Sequence, residues 1–300
     1  MNPRLLVAYL CLAAAMAIVG AYVAFSKALV IVFPIFVLAW LRFGIAAVAM
    51  LPWLRRPAGE APLDARMRRL LFVESFFGNF LFSICMLFGV ARSSALAAGI
   101  VMAAIPAVVA VLSWLLLRER IGGRVAVGVA CATAGIALVS FARDADGEST
   151  GSLVGTLLLL GAVICEAIYV VVGKKLSASV GPKRISAFIN LWGLALVTPL
   201  ALWQLPSFPA TFITPSYWVL LVAYALCASV VTVWLWMTGL RHVDASSAGV
   251  FTVFLPLSAA AVGVLVFGET FTAMQIAAFA LASVGVVLAA WRSPPPPALS

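Results

Sequence analysis

"AAIPAVVAVLSWLLLRER", Ala103 to Arg120, is apolar enough to cross a bilayer, yet it carries a proline near its start and an Arg-Glu-Arg cluster at its end. A similar stretch, "VFLPLSAAAVGVLVFGET", runs from Val253 to Thr270. In both, a glutamate follows the proline by thirteen residues: Pro106 to Glu119, and Pro256 to Glu269. Proline removes a backbone donor and strains the preceding turn, so a membrane helix tolerates it only where neighbours repair the backbone. Its return at one spacing points to two copies of one unit. A shift of 150 residues carries Gly89, Ala98, Gly99, Pro106, Glu119 and Gly135 onto Gly239, Ala248, Gly249, Pro256, Glu269 and Gly285. Nearer the N-terminus the shift becomes 147, taking Tyr22 and Lys27 onto Tyr169 and Lys174.

The composition around this repeat belongs to a bilayer. Hydrophobic residues make up 65% of the chain and charged residues 10%, against about 45–50% and about 25% in soluble domains. A span needs about 20 mainly apolar residues. Ten candidates are present: 5–26, 33–54, 69–90, 95–117, 122–141, 152–173, 184–203, 216–237, 246–267 and 272–291. The first has Arg4 before it, as a signal peptide would, but it lacks a clear cleavage site and reads as a retained helix. The end, "SPPPPALS", cannot continue a helix, so residues 292–300 are expected to form a disordered tail.

The net charge of +9 does not indicate a nucleic-acid partner, because the charges sit in short loops. Fifteen of the nineteen Lys and Arg residues fall at the termini or after the second, fourth, sixth and eighth spans, and three (Lys27, Arg92, Arg143) fall on the other side. That asymmetry puts both termini in the cytoplasm of an inner-membrane protein. Trp53, Trp114, Trp203, Trp218 and Trp291 near span ends suit an interfacial aromatic belt. Each half holds five spans, and an odd number sends the second copy into the membrane from the opposite side. The expectation is an all-α integral membrane protein of ten transmembrane helices in two inverted five-helix repeats, 1–141 and 152–291. Inverted halves that exchange conformations open to each side in turn, which is transporter architecture.

"ALAAGIVMAAIPAVVAVLSWLLLRERI" and "SSAGVFTVFLPLSAAAVGVLVFGETFT" resemble the fourth- and ninth-helix signature of EamA-type carriers in the drug/metabolite transporter superfamily. The resemblance extends over nearly the whole chain, including "WLRFGIAAV" in the second span. Within the superfamily the chain is similar to bacterial YddG-type exporters of aromatic amino acids. The resemblance implies ten helices, cytoplasmic termini and a central cavity lined chiefly by helices 1, 3, 4, 6, 8 and 9.

Ionisable groups at membrane depth are costly and usually face a cavity or a partner. Arg42, Glu74 and Glu166 are in that position. Arg42 lies on the second span, which the resemblance leaves out of the lining, so it reads as a structural pairing residue. Glu74 and Glu166 have no acidic counterpart in the other half (Tyr224 and Val19 stand there). Such asymmetry suits an asymmetric solute, although each carboxyl has a second reading as a group satisfying backbone. Tyr22 and Tyr169 read either as cavity residues or as interfacial anchors. Asn79 and Ser83 stand one turn apart on one face and are candidate polar contacts. Met102, one turn before Pro106, reads as an adaptable wall or as packing. Pro106 and Pro256 read as hinges, with plain packing as the alternative. Gly128, Ala132 and Gly135, with Ala278, Ala282 and Gly285, give the fifth and tenth spans matching small faces that hold the halves together, compatible with a monomer.

The chemistry of an enzyme is absent from the pattern. The five cysteines all lie in apolar runs without a CxxC, and His242 is the single histidine, so neither a multi-histidine metal site nor a cofactor is expected. No nucleotide loop or nucleophile constellation is present. The sequence therefore predicts a secondary transporter exporting small organic solutes, amino acids foremost, with a small solute and the lipid bilayer as its partners. Export of other metabolites or drugs is the alternative, and a membrane-embedded lipid-modifying enzyme a more distant one.

Overall fold

The computed structural model describes residues 3–57, 60, 62–93, 98, 101–102, 104–117, 153–208, 213–243, 248, 251–252 and 254–268, with isolated positions at 127, 130–131, 134, 273, 276–277, 280–281 and 284. Among the described residues the chain is all helical. We name the helices α1 (Pro3–Val32), α2 (Ile35–Met50), α3 (Ala65–Val90), α4 (Ile105–Leu117), α5 (Leu153–Ser177), α6 (Pro182–Gln204), α7 (Pro215–His242) and α8 (Phe254–Leu265). Six stretches among the described residues are long and apolar enough to cross a membrane: α1, α3, α5 and α7, together with α2 and α6 once their terminal 3-10 turns are included. These are the first, second, third, sixth, seventh and eighth spans of the sequence reading. α4 and α8 cover the C-terminal parts of the fourth and ninth. Most of the fifth and tenth, with their small faces, and the 292–300 tail lie outside the described residues.

Helix limits follow local chemistry more than hydropathy. α1 runs through Lys27 and stops at Val32, since Pro34 restricts the residue before it and has no N–H to continue the ladder. α3 begins at Ala65, ahead of its apolar run, because the Asp64 carboxylate accepts the Met67 N–H at 2.6 Å as an N-cap. α3 and α7 are not uniform α-helices. Each contains a π-helical turn, Phe76–Leu81 in α3 and Leu226–Val231 in α7. The two turns lie 150 residues apart, the spacing of the sequence repeat. Both prolines of the opening stretches follow a helix break. A tight turn joins Ala104 N–H to the Val101 carbonyl at 3.1 Å before α4 starts at Ile105, and a 3-10 turn at Phe251–Thr252 precedes α8. Pro106 and Pro256 thus lie in the first turn of α4 and α8, where an absent N–H costs no intrahelical bond.

The packing is crossed between the two halves. α1 lies against α8 and the C-terminal half of α7, while α5 lies against α4 and the C-terminal half of α3. α2 packs along α6. Gly89 and Gly239, partners under the 150 shift, make both crossings possible. A Cβ on Gly239 would sit 2.6 Å from Leu12 Cγ and 2.8 Å from the Ala8 carbonyl oxygen. A Cβ on Gly89 would sit 2.8 Å from Leu159 Cγ and 3.3 Å from the Gly155 carbonyl oxygen. Leu12 and Leu159, and Ala8 and Gly155, are themselves 147 residues apart, so the same close approach is built twice. Lys27's counterpart Lys174 ties α5 to α7 within the second half: its Nζ donates to the Leu240 and Val243 carbonyls at 3.0 and 2.7 Å, capping the C-terminus of α7.

Candidate functional site

Where α1, α2, α3, α5 and α7 meet, they line a small cavity of about 30 Å³, room for about two waters. α1 supplies Met16, Val19 and Tyr22; α2 supplies Arg42; α3 supplies Gly78, Asn79 and Phe82; α5 supplies Glu166 and Tyr169; α7 supplies Ala228, Thr232, Val233 and Trp236. Both π-turns reach this wall, α3 through Gly78 and Asn79 and α7 through Ala228. An inserted residue redirects the side chains that follow it, and π-turns recur at functional sites for that reason. Four pairs in the lining are related by the repeat shifts: Val19 with Glu166, Tyr22 with Tyr169, Gly78 with Ala228, and Phe82 with Thr232. Two of those pairs set an apolar residue of the first half against a polar one of the second. The cavity is thus shaped symmetrically and charged asymmetrically.

Arg42 is 2% exposed. Its Nη2 donates to Ser83 Oγ at 2.5 Å, and that hydroxyl donates to the Asn79 carbonyl. The guanidinium also stands 4.4 Å from the Phe43 ring centroid and 5.9 Å from that of Tyr224. These contacts hold the plane of the group, but the Nε has no partner. Tyr224 in turn meets Tyr22 edge to face, with centroids 5.7 Å apart. Across the cavity, Tyr169 presses on the backbone of α3. A Cβ at Gly78 would lie 2.8 Å from the tyrosine's own Cβ, so only glycine fits there. Three more lining atoms are buried without a partner: Asn79 Nδ2, Thr232 Oγ1 and Trp236 Nε1. Glu166, 7% exposed, brings the cavity's carboxylate. No ion pair between Arg42 and Glu166 is present among the described residues, although the two share the cavity.

Of the residues proposed from sequence, Tyr22, Asn79, Glu166 and Tyr169 come together in this lining. Ser83 does not line it and acts one step back, holding Arg42. Glu74 is fully buried beside Gly173, with both carboxylate oxygens unpaired and outside the lining. Met102 is buried in the apolar core. Arg42 pairs with a neighbouring helix, as read from the sequence, through Ser83 of α3, and it also lines the cavity, which that reading did not expect. Thr232 and Trp236 had no sequence signal beyond lying in an apolar helix. Arg42 had one, a charge near the middle of a span with no nearby acidic residue.

No group of three or more metal-ligating side chains occurs among the described residues. The profile of the EamA-like transporter family matches the chain twice, at residues 6–141 and 153–291. An uncharacterized transporter of Bacillus subtilis (strain 168), YetK, is 36% identical over 266 residues, covering 88% of this chain and 81% of the relative. A second from the same organism, YwfM, is 27% identical over 217 residues, covering 70% of this chain and 71% of its own length. A solved crystal structure superposes with a TM-score of 0.64 at 18% identity, covering 94% of this chain and 96% of the other, which bears on the fold alone. With a multi-pass bundle of apolar helices, the two family matches and the 36% identity to YetK make this chain a member of the EamA-like transporter family.

Proposed function

We propose that this chain exports small zwitterionic organic solutes, amino acids foremost, by alternating access through the cavity between α1, α2, α3, α5 and α7. The observation that carries this reading is that a guanidinium and a carboxyl group, Arg42 and Glu166, face one buried cavity unpaired with each other. A buried guanidinium with an unsatisfied Nε is costly to keep. A solute carboxylate would offset that cost, and Glu166 would receive the solute's ammonium group. Tyr22, Tyr169, Phe82 and Trp236 offer rings to an apolar side chain. This composition suits aromatic amino acids, the class carried by the exporters that the sequence resembles. A volume of about 30 Å³ is too small for any such solute, so loading requires the helices to part.

Alternation is supported by the duplicated parts: equal π-turns, equal glycine crossings, and a helix break before each of Pro106 and Pro256. In this reading residues 1–141 and 152–291 are inverted five-helix halves, the prolines mark hinges, and Lys and Arg hold both termini in the cytoplasm. Counterflow of labelled amino acids into proteoliposomes loaded with each candidate solute tests the proposal. Uptake of one or a few zwitterions is expected, and a protein active only on uncharged or polycationic compounds refutes the reading.

A further inference from the structure

A second, larger concavity lies away from the central cavity. It measures about 430 Å³ and opens between the C-terminal end of α2 with the loop after it, the N-terminus of α6, and α7. That volume is within the range of about 300–1,000 Å³ typical of small-molecule sites. Its cations are Arg55, Lys183 and Arg184, against the single carboxylate of Glu60. Glu60 is already engaged: it pairs with Arg184 Nη1 and accepts the Gly181 N–H at 3.3 Å. Arg184 is 8% exposed, and its Nε is buried in the wall without a partner. Arg55 and Lys183 are exposed and have no carboxylate beside them in the pocket. α6 opens here with no acidic residue in its first turn and no side-chain cap from Gly181, so its positive end adds to the field. The apolar wall is aromatic: Trp53 packs on Trp234 with centroids 6.3 Å apart, and Lys183 Nζ lies 5.7 Å from the Trp53 ring.

We propose that this pocket binds a phosphate anion, carried by an anionic phospholipid headgroup. Donors that are left over, a surplus of positive charge and a helix N-terminus together describe a phosphate site. The tryptophans favour a lipid source over soluble phosphate. Trp234 is exposed on a helix long and apolar enough to span the membrane, so acyl chains beside it bring their headgroups to the level of Arg55 and Lys183. The pocket joins α2 and its loop to α6 and α7, so a bound headgroup ties the first half to the second where α2 and α6 pack. The proposal does not depend on which solute the central cavity carries.

The test uses the full chain in nanodiscs of phosphatidylcholine with and without phosphatidylglycerol, counting retained lipid by native mass spectrometry. Wild type should retain phosphatidylglycerol. R55Q/K183Q, which alters two exposed side chains and leaves the Arg184–Glu60 pair intact, should weaken retention roughly 30-fold, given the usual contribution of each basic group near an anionic headgroup. R66Q/R68Q removes the same charge from a neighbouring stretch of the same loop side and should retain the lipid. Equal retention by wild type and R55Q/K183Q overturns the site, and so does equal loss in R66Q/R68Q, which would mean diffuse surface charge. A parallel titration of inorganic phosphate into phosphatidylcholine nanodiscs separates the sources. A thermal shift in wild type that R55Q/K183Q loses, without selective lipid retention, keeps the phosphate pocket but overturns the lipid as its ligand.

Discussion

Arg42 and Glu166 carry the account at the scale of single residues. Arg42→Gln keeps a polar group beside Ser83 but removes the charge, and a charge-assisted bond to a solute carboxylate is worth about 1.5–3 kcal/mol. Proteoliposome uptake by R42Q should therefore fall roughly 10- to 100-fold, with the loss appearing as weaker apparent affinity. Arg42→Lys should recover only part of it, because an ammonium cannot reproduce the planar contact with Ser83 and the two rings. Glu166→Gln retains shape and hydrogen-bonding capacity, so it should insert normally and lose transport. Wild-type rates in both R42Q and E166Q would assign the pair to structure. Tyr22, Asn79, Glu166 and Tyr169 were legible in the sequence because a polar group inside an apolar run is costly unless it faces a cavity or a partner. Arg42 pairs with a neighbouring helix as read, through Ser83, but its place in the lining was not expected because the resemblance excluded its helix. Its charge alone, without an acidic neighbour in the span, argued the other way.

At the scale of elements, the glycines and π-turns set where the wall stands. Gly239→Leu forces a side chain into Leu12 and the Ala8 carbonyl, and such overpacking costs about 1–3 kcal/mol. The purified protein should melt several degrees lower, whereas Gly44→Leu, at a glycine with open space around it, should leave the melting temperature unchanged. Pro106→Ala and Pro256→Ala sit in first helical turns and should not disturb insertion. If the breaks before them act as hinges, each should slow uptake, and unchanged uptake in both would leave the prolines as simple helix starts. The six spanning helices among the described residues were readable from hydropathy. The π-turns were not, since one extra residue within a uniformly apolar helix leaves no mark on composition or period. That is also why Asn79 and Ser83, one turn apart in sequence, separate in role: one lines the cavity and the other supports Arg42 from behind.

For the whole molecule, the repeat was visible as two shifts, 147 and 150, but not as the crossing it produces. Only the packed helices reveal that α1 lies on α7 and α8 while α5 lies on α3 and α4. The proposed five-plus-five arrangement makes a topological prediction. Reporter fusions at Ser149 and at the C-terminus should report opposite sides of the membrane, the C-terminal one cytoplasmic, and the same side for both would break the arrangement. The central claim is that one buried cavity reads both charges of a zwitterion. It is tested most directly by competing a transported amino acid, in counterflow, with its methyl ester and its N-acetyl derivative. Both blocked forms should compete poorly against wild type. R42Q should no longer discriminate against the ester, and E166Q should no longer discriminate against the N-acetyl form. Blocked forms that compete as well as the free amino acid would contradict the claim.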